Sequence, residues 1–94
     1  MGRLPERDSF NDNMANLEDG IWFTKVDIKK YESDRINIKQ LEQNYIDMCQ
    51  RLNKNIITFE KRHGDHPKLV LQLMEKTEET INITKALIDS TIKK

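Results

Sequence analysis

Apolar residues recur at steps of seven through the middle of the chain: Tyr31, Ile38, Tyr45, Leu52 and Phe59, with Leu41 and Met48 three residues after Ile38 and Tyr45. This is an a/d seam, the pattern of a helix that lays one narrow stripe against other helices. Thr24 heads the run as an N-cap, with Asp27 at N3 and Phe23 placed to staple onto Ile28. No Pro or Gly follows until Gly64, so the pattern predicts one long helix over 24–63. Two residues fit the stripe poorly: Arg35 near its start and Asn55 at a d position near its end.

The downstream signals are punctuated more sharply. In Lys61-Arg62-His63-Gly64, basic side chains meet the negative end of a helix dipole and Gly64 supplies a left-handed C′ position. Asp65 stands as the N-cap of a following helix, with Pro67 in its first turn. That helix is predicted over 66–92, with a stripe of Leu69, Val70, Leu73, Met74, Thr77, Ile81, Thr84, Leu87 and Ile88. Thr77, Thr80 and Thr84 make its middle thin, leaving room for a bulky partner or marking weak packing.

Upstream, residues 1–8 read as a flexible lead and 9–19 as a short helix. Phe10, Met14 and Leu17 share one of its faces, and Asp19-Gly20 ends it. Ile21-Trp22-Phe23 is the densest apolar run in the chain. It reads as an anchor joining the first helix to the second, or, more sharply, as an exposed contact for a partner with Trp22 at its centre.

The expected fold is therefore all-α and a single domain: a long antiparallel helical hairpin, coiled-coil-like, with a short N-terminal helix. The turn at Gly64 to His66 sets the register and brings Ile92 near Ile36 or Asn37. The short helix would fold back over Lys25 to Arg35, setting Leu17 and Met14 near Ile28 and Tyr31.

Composition sharpens this. Of 94 residues, 36% are hydrophobic and 34% charged, which suits long helices with one buried stripe and leaves a thin core. The hairpin also carries more apolar positions than one helix–helix contact needs, so a second copy is expected to cover them. Sixteen basic and sixteen acidic residues cancel, with none of the basic excess usual in phosphate-gripping domains. Cys49 is the only cysteine, so no intrachain disulfide can form. The N-terminal residues lead into charges rather than an apolar run, so neither signal peptide nor membrane span is expected, and the chain reads as cytoplasmic.

Candidate chemistry is sparse. His63, Asp65 and His66 crowd one turn, but a tight turn does not aim three side chains at one centre, and a C-cap followed by an N-cap accounts for them. No nucleophile–base set, carboxylate pair or glycine-rich phosphate loop is present. Lys25, Lys29 and Lys30 form a small basic group, and Glu75, Glu78 and Glu79 a small acidic one. The sequence thus reads as a non-enzymatic interaction or assembly module, self-associating or binding another helical protein, with no cofactor and no metal. The weaker alternative is a small, phage-type regulator acting on nucleic acid or its machinery. The candidate interface is Trp22, Phe23, Tyr31, Ile38, Tyr45, Leu52, Phe59, Met74, Ile81 and Ile88.

Overall fold

The computed structural model describes residues 5–93, with the side chains described from Phe10 onward. The described residues form three helices and no strand: α1 (Pro5–Glu32), α2 (Ile38–His63) and α3 (Pro67–Ile92). Each helix packs against both others, and the chain measures 52 × 20 × 15 Å. No described helix is long and apolar enough to cross a membrane.

All-α architecture agrees with the sequence pattern, but the helix boundaries in the first half do not. The short helix over 9–19 and the start of the long helix over 24–63 are joined in α1, which runs unbroken through Gly20 and Thr24 and takes in residues 5–8 of the expected flexible lead, while the rest of the long helix is the separate α2; residues 1–4 of that lead lie outside the described residues. Burial explains the difference. Leu17, Gly20 and Thr24 stand at i, i+3 and i+7 and form one buried face. Burying a side chain of Leu size is worth about 1.5–3 kcal/mol, whereas glycine in a helix interior costs about 1 kcal/mol. Packing therefore outweighs the stop signal. Thr24 caps no helix start; its hydroxyl donates to the Gly20 carbonyl at 2.8 Å, inside α1.

The chain breaks instead at residues 33–37, where no Gly or Pro stands. Asp34 adopts φ 63°, in the left-handed region. The Asp34 amide donates to the Tyr31 carbonyl at 3.1 Å and the Arg35 amide to the Lys30 carbonyl at 2.8 Å. These two bonds are those of a Schellman ending with aspartate at C′. Asn37 then caps α2, its side-chain carbonyl accepting from the Gln40 amide at 2.8 Å. Arg35, awkward on a continuous stripe, lies in this connection.

The α2–α3 half follows the pattern closely. Leu41, Met48, Leu52 and Phe59 are buried on α2, as the seam requires. The turn falls at residues 64–66, and Pro67 opens α3. Two details of the turn differ. Gly64 is right-handed, with φ −64°, so it is no left-handed C′. The residue at the α3 N-cap is His66 rather than Asp65, and its side chain makes no capping bond. With Pro67 removing one amide from the first turn, fewer donors there need a cap.

On α3, Val70, Leu73, Thr77, Thr80, Thr84 and Ile88 are buried. Two of these threonine hydroxyls bond within the helix: Thr77 donates to the Leu73 carbonyl at 2.7 Å, and Thr84 to the Ile81 carbonyl at 2.9 Å. Leu17 of α1 joins Met48, Leu52, Phe59, Val70 and Leu73 in the central core, with Phe10 and Met14 packed against it. Leu17 and Met14 thus face the middle of the bundle rather than Ile28 and Tyr31. A full-length α1 covers apolar edges that the hairpin reading left for a second copy.

Candidate interaction surface

Three of the ten residues singled out from the sequence belong to the core. Leu52 and Phe59 are each 1% exposed and Ile88 is buried beside them in the bundle, so their burial is spent within the chain. Phe59 also meets the Phe10 ring at 6.2 Å and the His63 ring at 4.9 Å. Tyr31 and Ile38 are half-buried where the α1–α2 connection meets the end of α3, and they share a hollow with Ile36, Asn37 and Ile92. The expected nearness of Ile92 to Ile36 and Asn37 is therefore present.

A groove of about 380 Å³ runs between α2 and α3, lined by Tyr45, Ile46, Ile88, Ile92 and the charged Glu42, Lys85 and Asp89. Ile81 is half-buried against the core and Met74 is exposed. The Tyr45 hydroxyl is pushed up from its ordinary pKa of 10 to about 12, first by burial, then by its hydrogen bond with Cys49, and last by the nearby Asp89 carboxylate. A phenol held neutral in this way acts as packing with a polar edge and offers no base near neutral pH.

The remaining two residues, Trp22 and Phe23, stand apart. They are 60% and 53% exposed and meet edge to face at 5.0 Å. Because α1 is continuous here, neither ring serves as a link between helices. Leu17, Gly20 and Thr24 turn inward, so helical spacing carries Trp22 and Val26 to the opposite side. Phe23 lies on the flank toward α2, lining a shallow hollow with Gly20, Asp27, Asn44, Asp47 and Arg51. Exposed aromatic pairs on a helix are costly to keep in water and are enriched at contact surfaces.

Charges on this outer face are segregated. Glu18 and Asp19 precede the aromatic pair, and Lys25, Lys29 and Lys30 follow it, all exposed. None of the five takes part in an ion pair among the described residues. The sequence shows the lysines as a group but gives no hint that they share a helix with the rings, because Asp19-Gly20 reads as a helix end ahead of Trp22.

The two histidines are separated in role. His63 lies against Phe59, while the His66 ring sits 3.6 Å from the Asp65 carboxylate. Among the described residues no three His, Cys, Asp or Glu side chains converge as a metal site would require. Compared with family models, with curated proteins and with solved structures, the chain matches none.

Proposed function

We propose that this chain is a non-enzymatic protein–protein interaction or assembly module, which docks onto a second helical chain through the outer face of α1. One observation carries the reading: Trp22 and Phe23 remain exposed although the three-helix core is complete without them. Large rings on the exposed side of a helix contribute little to this fold, yet such residues dominate the energetics of interfaces. The occupant is another copy of the chain or a different helical protein, and the site binds through surface burial rather than through a reaction.

The test compares the purified wild type with a Trp22→Ala/Phe23→Ala variant. Both should melt alike, since the rings are exposed. The wild type, immobilised, should retain a partner, whether its own kind or a different protein, that the double variant loses. Equal retention by both would remove the α1 face as the docking surface.

A further inference from the structure

The connection after α1 folds the chain back over the end of that helix and gathers positive charge there. A hollow of about 280 Å³ lies beside the last turn of α1, lined by Val26, Lys29, Lys30, Ser33 and Arg35. We infer that this hollow is a binding site for a phosphomonoester, a small group carrying two negative charges.

The backbone builds the site. Asp34 holds φ 63°, a left-handed conformation that a non-glycine residue adopts at a cost, and such strain gathers at functional sites. The reversal lets the Arg35 amide donate to the Lys30 carbonyl at 2.8 Å, which ties Arg35 back to α1. On a continuous helix Lys29 and Arg35 would stand about 120° apart and serve different faces. The connection sets both beside one hollow.

Charge gives the sign of the ligand. Lys29, Lys30 and Arg35 are exposed, and none is held in an ion pair among the described residues. No carboxylate lines the hollow; Glu32 and Asp34 line a separate one, which shares only Arg35 with it. Lysines near a helix C-terminus also answer the helix dipole, but that dipole amounts to only about half a negative charge. Its carbonyls are already taken: that of Lys29 accepts from the Ser33 amide at 3.0 Å and the Ser33 hydroxyl at 2.7 Å, and that of Tyr31 from the Asp34 amide at 3.1 Å. Three cations therefore leave a positive surplus that a dianion matches.

Convergence gives the class. A nucleic-acid strand spaces single charges along a line and is met by cations spread along a groove, with aromatic rings for its bases. Here three cations border one hollow and no ring lines it. The planar guanidinium of Arg35 suits two oxygens of one phosphate, with the lysines as point charges beside it.

The experiment titrates the whole chain with methyl phosphate and follows the backbone amides by NMR. Amides over 29–36 should shift and saturate. Dimethyl phosphate, a monoanionic diester, should bind about tenfold more weakly. Affinity should fall as pH drops from about 7 to 5, because the monoester takes up its second proton near pH 6. Lys30→Gln/Arg35→Gln should weaken binding about tenfold. Lys54→Gln/Lys61→Gln removes the same charge from the C-terminal half of α2 and should leave binding unchanged. All four side chains are exposed, so both variants should melt like the wild type. Trp22→Ala/Phe23→Ala should also bind methyl phosphate unchanged, so this site and the docking face fail separately. A phosphoserine peptide flanked by alanines that binds more tightly than methyl phosphate would assign the ester to a modified protein partner; one that binds no more tightly would assign it to a small phosphate ester. Amides that do not move, equal affinity for the diester, or equal loss in the two lysine-bearing variants would overturn the inference. An oligonucleotide that binds more tightly than methyl phosphate at the same amides would overturn it in favour of a nucleic-acid strand.

Discussion

Gly20 leaves room on α1 for the Met48 side chain of α2. A Cβ placed on it would lie 3.1 Å from the Met48 Sδ and 3.6 Å from the Met48 Cγ. The thioether is flexible, so Gly20→Ala asks for a small shift and gains about 1 kcal/mol of helix propensity in return. Gly20→Leu cannot be absorbed that way and should lose about 1–3 kcal/mol through overpacking. Urea unfolding should therefore place the alanine variant near the wild type and the leucine variant well below it. In the sequence this residue is read as a stop, since Asp-Gly before an apolar run carries that meaning locally. What local chemistry does not reveal is Met48, 28 residues away, which fills the space a side chain would take.

Tyr45 offers a second test on the same scale. Its neutral form is favoured in the fold, with the pKa raised from 10 to about 12. The stability this brings is complete below the unfolded value and is lost as pH climbs from about 10 toward 12. In a Tyr31→Phe background the phenolate absorbance then reports Tyr45 alone, and its midpoint should lie near 12 rather than 10. Tyr45→Phe should remove that part of the alkaline loss of stability.

At the scale of elements, the connection between α1 and α2 is where the sequence is hardest to read. The step of seven from Tyr31 to Ile38 continues the seam, yet these residues belong to different helices. The five-residue connection happens to preserve the spacing, so periodicity alone could not find it. Two weaker signals were present: Arg35 on the apolar stripe, and Asn37 followed three residues later by Gln40, as at a capped helix start. The reversal itself rests on Asp34 in a left-handed conformation, which glycine signals in most sequences and aspartate seldom does. Asp34→Gly should accordingly stabilise the protein by about 0.5–1 kcal/mol, since it relieves that conformation. Asn37→Ala should destabilise it by about 0.5–2 kcal/mol, by removing the acceptor for the Gln40 amide. Thermal melts of the two variants should move in opposite directions. By contrast, the α2–α3 hairpin was legible because Lys61 to Pro67 concentrates several independent end signals in a short span.

Across the whole molecule, the consequence of a continuous α1 is a change in what a second copy would do. The hairpin reading needed another chain to complete the core, with Leu52, Phe59 and Ile88 in the contact. The three-helix bundle buries those residues within one chain, and the apolar surface left over includes Trp22 and Phe23 on α1 beside Ile57 on α2 and Leu71 and Met74 on α3. The sequence marked those two residues as a possible contact but could not place Glu18, Asp19 and the lysines around them on one helical face. Trp22 is the only tryptophan, so its fluorescence reports this surface without labelling. The most direct measurement is its emission spectrum over a dilution series from high to low micromolar concentration. Docking through the α1 face predicts the red emission of a solvated indole from the isolated chain at low concentration, since Trp22 is 60% exposed, and a shift to the blue as a second chain covers the ring at high concentration. Emission that stays blue and fixed at every dilution would place the indole inside the monomer's own fold and contradict the account; emission that stays red throughout would show that no second copy covers the ring.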